Sequence, residues 1–282
     1  MEHGKPSRTA LRAAARRAAH QLMDRPPVLD DPIAVPLLGP DFALDGEHEA
    51  HPVARAFRAF MAARSRWVED RLAEAVAAGV RQYVVLGAGL DTFALRCPFA
   101  GLRVFEVDFP ATQEWKRALL AERGLAEPSH LTFVPLDFEH EAQADGLADA
   151  GFDASAPAFF GWLGVVPYLT LQAFRATLMA IAGLPEGTRI AFDYAISPER
   201  LTPSRRRVFD AMAARVAAAG EPFKLFFEPE TLEDELRGAG FARVEQAGSD
   251  EMNELYFKDR NDGLSLPPPG LGRLAMAWRV EK

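Results

Sequence analysis

The chain has 282 residues, a formal net charge of -8 and 49% hydrophobic residues, enough to bury a sizeable core in one α/β domain with an elaboration. The negative balance argues against unassisted binding to nucleic acid or to an anionic membrane surface. A single cysteine, Cys97, excludes an internal disulfide and gives no zinc constellation. Arg8, Arg12, Arg16 and Arg17 interrupt the alanine-rich start, so no continuous apolar signal core or membrane-spanning run stands there. A soluble cytoplasmic protein, monomer or homodimer, is the expectation.

In chain order, residues 7–23 carry a strong helix pattern, with Ser7 as N-cap and good helix formers after it. Pro26-Pro27 stop it. VLDDPIAVPLLGP reads as a turn and a short helix, and residues 41–52 as a polar loop. From about Val53 to Ala78 a long helix has an apolar stripe of Phe57, Phe60, Met61, Trp67, Val68, Leu72, Ala75 and Val76 at spacings of three and four. Arg64 and Arg71 fall on that stripe, whereas Arg66 and Glu69 lie toward its edge. An inward arginine needs an anion. For Arg64 an internal acid or a ligand carboxylate would serve, and spacing does not choose between them.

The stretch YVVLGAGLDT, Tyr83 to Thr92, is the organising element: a short buried strand, then the tight turn Gly87-Ala88-Gly89, then a helix start. It suits the first strand of a doubly wound sheet, where ligands sit beyond the carboxyl ends of the strands. A Cβ there would hold the backbone away from a ligand. The dinucleotide pattern wants a third glycine, but that slot holds Thr92. This weakens the case for a nicotinamide or flavin cofactor and favours a nucleoside ligand without a pyrophosphate, S-adenosylmethionine (SAM). Asp91 is placed to cap the following helix. About twenty residues on, RVFEVDF forms a second strand that presents Glu106 and Asp108 toward a ribose. Pro110 opens the next helix. The third strand, LTFVPLDFE, ends in Asp137-Phe138, an acid and an aromatic suited to an adenine amine and ring.

APAFFGWLGVVPYLT is a fourth strand and its loop, where Gly161, Trp162 and Gly164 would border the cofactor; Trp162 is equally suited to the core. A helix at 170–182 and a strand from Arg189 to Asp193 follow. Residues 197–222 read as helices inserted above the sheet. Then come a strand near Leu225–Phe227, a helix from Thr231 to Gly238, a strand from Ala242 to Gln246, an amphipathic turn near Met252–Phe257 and a last strand from Leu274 to Val280. Five β/α units and a closing strand pair give a seven-stranded α/β sheet. The expected organisation is one domain: residues 1–78 a helical cap, 79–196 and 223–282 the core, and 197–222 a lid insertion.

These motifs resemble the leucine carboxyl methyltransferase-like class I SAM-dependent methyltransferases, in particular their bacterial branch. The match extends over SRTA…DDPIA, RSRWVED, VVLGAGLDT, FEVDFP, PLDFE and the late NELYF…RNDGL. The resemblance implies a Rossmann-like seven-stranded sheet with an N-terminal helical cap and a lid. It implies that Arg64 grips the methionine carboxylate of SAM, and that Gly87 and Gly89, with Ala88 between them, admit the amino-acid moiety. It places Asp108 on the ribose hydroxyls and Asp137 and Phe138 at the adenine, with Glu106 deeper in the strand. Family members that carry a Glu after the fourth strand use it to hold the cofactor. Here Gly161-Trp162-Leu163-Gly164 contains no acid, so the SAM ammonium group needs another partner.

Methyl transfer from a sulfonium is an in-line displacement, which chiefly demands alignment and exclusion of water. A carboxylate acceptor is already ionised at neutral pH, whereas a phenol benefits from a base. Of the six histidines, only His20, in the cap, comes near the expected cofactor face, and a packing role suits it better. Arg8, Arg12, Tyr168 and Tyr194 are candidates to orient a substrate anion. The expectation is therefore a SAM-dependent O-methyltransferase without a metal, acting on a small molecule, favouring a carboxylic acid and fitting secondary metabolism. The competing readings are a nucleotide-dependent oxidoreductase on a similar sheet, which Thr92 opposes, and a SAM-binding protein without activity.

Overall fold

A computed structural model describes residues 8–40, 42–136, 143–218, 220–268 and 270–279. Four helices precede the first strand: α1 (Arg8–Met23), α2 (Ala34–Leu38), α3 (Gly46–Ala50) and α4 (Pro52–Ala77). The alternating core follows, as β1 (Gln82–Leu86), β2 (Arg103–Asp108), α5 (Pro110–Glu122), β3 (Leu131–Pro135), α6 (Gln143–Asp149), β4 (Phe159–Trp162), α7 (Leu171–Ala182) and β5 (Arg189–Ala195). The chain closes with α8 (Pro203–Ala218), α9 (Pro229–Gly238), β6 (Arg243–Ala247), α10 (Ser249–Tyr256) and β7 (Gly272–Trp278).

The seven strands form one sheet in the order β3-β2-β1-β4-β5-β7-β6. The first five run parallel to their neighbours, and β7 lies antiparallel between β5 and β6. Strand order reverses between β1 and β4, which is where sheets of this type open a crevice for ligands. Both faces are covered, which explains why the central strands are apolar throughout. On one face Trp67 and Leu72 of α4 and Met252 of α10 pack on Tyr83, Val85 and Val104. On the other, Phe174 and Leu178 of α7 and Leu232 and Leu236 of α9 pack on Val84, Phe105, Phe160 and Phe192. A smaller cluster joins Ala14 of α1, Leu37 of α2, Leu90 just after the glycine turn and Leu120 of α5, fixing the N-terminal helices to that turn.

Several local expectations are corrected. Residues 41–52 are not all loop: Asp45 accepts a hydrogen bond from the His48 N–H at 3.0 Å and caps the one-turn helix α3. The segment Leu225–Phe227 is irregular, because its N–H groups go to two unrelated acceptors. Lys224 and Leu225 donate to the Pro167 carbonyl and Phe227 to that of Ala195, so no continuous ladder forms. The helix expected after Thr92 is a short 3-10 turn, Phe93–Arg96. Among the described residues no helix is long and apolar enough to cross a membrane.

Candidate active site at the glycine turn

The register of the sheet builds the site. Pairing of Leu86 with Val107 brings Asp108, the last residue of β2, level with the turn that follows β1. The turn is held shut on β2: Gly87 and Ala88 both donate to the Val107 carbonyl, at 2.8 and 3.1 Å. Gly89 N–H donates to Asp108 Oδ2 at 2.5 Å, and Phe109 N–H to Asp108 Oδ1 at 2.7 Å. Burial pushes the Asp108 carboxyl above its ordinary range, against the pull of those two N–H groups. Gly87 (φ 68°) and Gly89 (φ 50°) lie in the left-handed region. A Cβ on Gly87 would collide with Val165, and one on Gly89 would stand 2.9 Å from Ala10 of α1. The turn is therefore roofed by the N-terminal helix and by the loop after β4.

The capping of the 3-10 turn comes from Asp91, whose Oδ1 accepts from the Phe93 N–H at 2.8 Å. Thr92, the residue in place of a third glycine, has a specific partner: its hydroxyl donates to Asp31 Oδ2 at 2.6 Å. Asp31 is fully buried in the DDPIA segment and also faces Arg17 and Arg96 at 3.5 and 3.4 Å. Arg17 in turn donates to the Leu90 carbonyl. Thus the N-terminal segment is bolted to the turn by a charged network.

Glu106 is paired inside the chain. It lies beside Lys116 of α5 at 2.5 Å with both side chains 1% exposed. Burial raises its carboxyl to about 7, with Lys116 pulling it down.

Arg64 meets an acid of the chain. Its Nη1 donates to Asp193 Oδ2 at 2.9 Å, and the side chains are 10% and 8% exposed. Asp193 is on β5 one residue beyond the Trp162–Phe192 pair, so its other oxygen accepts from the Gly164 N–H at 2.5 Å. A Cβ on Gly164 (φ 73°) would come within 3.2 Å of Arg64 Nη2. The internal-acid reading of Arg64 is thus what the fold shows. Among the described residues Arg64 Nε is buried without a hydrogen-bond partner, as are the Nε atoms of Arg17, Arg96, Arg123 and Arg189.

Trp162 belongs to the core. It is 1% exposed, stacked on Phe174 (centroids 5.8 Å, planes 10° apart) and edge-on to Phe192. Its side chain points to the α7 face of the sheet, which is the core reading of this residue. Gly161 has a packing reason as well, since a Cβ would sit 2.5 Å from the Tyr83 hydroxyl. Asp137 and Phe138 lie outside the described residues. His20 is buried in the N-terminal segment, its Nδ1 2.8 Å from Asp24 Oδ2 and its Nε2 accepting from the Val28 N–H at 2.9 Å. Both ring nitrogens are engaged, which removes it as a base.

A model of the leucine carboxyl methyltransferase family matches residues 10–182. The chain belongs to the leucine carboxyl methyltransferase family. It is 33% identical over 293 aligned residues to YktD of Bacillus subtilis (strain 168), named as a SAM-dependent methyltransferase, with 94% of this chain and 96% of that one covered. A protein of Mycobacterium avium (strain 104) named in the same way is 36% identical over 217 residues, covering 70% of this chain and 67% of its own. Among solved structures, a methyltransferase-named protein of Thermobifida fusca superposes with a TM-score of 0.60 at 18% identity, covering 99% of this chain and 97% of that one; at that identity the likeness is one of fold. This chain is a SAM-dependent methyltransferase with a class I sheet.

The site fits that cofactor on its own geometry. The glycine turn stands at the switch point of the sheet, a carboxylate closes the second strand, and a buried guanidinium keeps an unsatisfied nitrogen. Sequence reasoning missed Asp193 and Val165. The signal for Asp193 was present, an acid near the end of the apolar strand RIAFDYA, but its partner is 129 residues away.

Proposed function

We propose that the enzyme methylates oxygen, and that its acceptor is a small-molecule carboxylate. SAM supplies a methyl group already activated as a sulfonium, so the protein's tasks are to hold, align and keep water out. Gly87, Ala88 and Gly89 would line the amino-acid end of the cofactor, Arg64 would take its carboxylate, and Asp108 would accept from the ribose hydroxyls. Asp137 and Phe138 are kept as the adenine partners. The helices before β1 are read as a cap, and the segment carrying α8 as a lid.

The observation that carries the acceptor class is that each histidine among the described residues is engaged by another group of the chain. His20 is locked by Asp24 and Val28; His130 bonds the Ala94 carbonyl, His51 accepts from the Val53 N–H and His48 lies against Arg16. Tyr168, beside the Arg64–Asp193 pair, is pushed well above the ordinary phenol range by burial and stays protonated at neutral pH. A carboxylate needs no proton removed. Incubation with labelled SAM and matched panels of carboxylic acids and phenols tests this. The expected product is an ester, whose label mild alkali releases as methanol. An alkali-stable aryl ether as the main product would overturn the reading.

A further inference from the structure

The amino-acid end of SAM is a zwitterion, and each of its charges must find a counter-charge when it leaves water. Arg64 can answer only the carboxylate. Of the other buried acids around the turn, Asp31 is held by Thr92, Arg17 and Arg96, Glu106 is paired with Lys116, and Asp108 ends β2 on the other side of β1. On the side of β4 and β5 stands Asp193. We infer that Asp193 is the group that receives the cofactor's ammonium, and that Arg64 and Asp193 act together as a zwitterion clamp. This rests on the SAM-binding reading of the glycine turn.

Three features support it. First, the clamp adjoins the turn: Val165 is in contact range of Gly87, and the preceding Gly164 donates to Asp193 and borders Arg64. Second, the pair is incomplete as it stands. Arg64 Nε is buried without a partner, and each Asp193 oxygen accepts one hydrogen bond from the described residues although a carboxylate oxygen can accept two. A buried ion pair with unfilled hydrogen-bonding capacity is costly on its own, and an incoming carboxylate and ammonium would fill it. Third, the fold directs both side chains to one place. Alternation along β5 turns Asp193 toward the face covered by α4, opposite to Phe192 and Tyr194. Asp193 thereby supplies the acid that is missing from the loop after β4.

The test is calorimetry with three ligands: S-adenosylhomocysteine, its analogue lacking only the amino group, and 5'-methylthioadenosine, which lacks the whole amino-acid end. The wild-type enzyme should prefer S-adenosylhomocysteine over the deamino analogue by about ten- to a hundredfold, the scale of a hydrogen bond to a charged group. Asp193→Asn should abolish that preference and leave methylthioadenosine affinity within about twofold. Retention of the preference in the variant would overturn the inference, as would equal loss for all three ligands, which marks a structural role. If the Asn variant does not fold, Asp193→Ser is put through the same comparison, and equal wild-type affinity for the amino and deamino ligands also overturns it. Failure of the wild-type protein to bind any of the three would instead sink the SAM site itself.

Discussion

Thr92 and Asp31, 61 residues apart, are joined by a hydrogen bond of 2.6 Å inside the protein. This bond explains why the third position of the glycine pattern is not glycine. A hydroxyl is needed there to satisfy an aspartate that is completely buried. Thr92→Val should cost about 1–3 kcal/mol of stability, the usual effect of stripping a buried polar group of a partner, read as a lowered urea midpoint. Thr92→Gly, which completes the dinucleotide pattern on paper, should destabilise at least as much and confer no NADH binding in a fluorescence titration.

Asp108 holds the turn and is the proposed ribose partner. Its replacement by alanine removes a charged acceptor and leaves the Gly89 N–H without its carboxylate. SAM affinity should fall by about 1.5–3 kcal/mol in calorimetry, with the circular dichroism spectrum unchanged. Affinity equal to wild type would show that the ribose contact lies elsewhere.

Gly87 is constrained twice, by its φ of 68° and by the side chain of Val165. Gly87→Ala should destabilise by about 1–3 kcal/mol through crowding, with the left-handed conformation adding to it. Adding Val165→Ala should recover the crowding part alone. A double-mutant cycle on denaturant midpoints should therefore give a favourable coupling of about 0.5–3 kcal/mol; additive effects would place Val165 out of contact.

Glu106 gives the stability a pH dependence of definite sign. Its folded carboxyl is raised to about 7, above the ordinary value of about 4.3 in an unfolded chain. A raised pKa means that the folded state binds the proton more tightly, so this contribution is full below about pH 4 and declines until pH passes about 7. Thermal melts from pH 5 to 8 should show a falling contribution that disappears in Glu106→Gln. A difference curve rising with pH would contradict the assignment. Because the variant also removes the charged partner of Lys116, which keeps its hydrogen bond to the Asp91 carbonyl at 2.6 Å, its absolute stability should be lower where Glu106 would be ionised.

The strand-turn sequence YVVLGAGLDT, the timing of Asp108 after it and the α4 stripe from Met61 to Ala75 were legible because they depend on local rules. Phe57, at the expected start of that stripe, is instead 38% exposed. Four apolar residues before Gly-Ala-Gly specify a buried strand and a left-handed turn wherever the segment is placed, and Asp91 caps its neighbour two residues away. The five β/α units and the closing strand pair follow from the alternation of elements, but the antiparallel placement of β7 between β5 and β6 does not. The segments misread were those without such rules. Leu225–Phe227 has the composition of a strand but meets the carbonyls of Pro167 and Ala195 instead of a strand edge.

The sequence by itself determined the class of sheet, the place of the glycine turn and the carboxylate at the end of β2, since each is encoded within a few residues or in a fixed β/α spacing. Only the tertiary structure decided which charges face one another. Spacing put Arg64 on the inner stripe of a helix and left its anion open; the register of β4 against β5 and the packing of α4 across them selected Asp193. On the opposite face, the packing of α7 put Trp162 against Phe174 in the core. Residue type and period fix the direction of a side chain, but the group it meets comes from a distant part of the chain, and only the assembled sheet brings the two within a hydrogen bond's length.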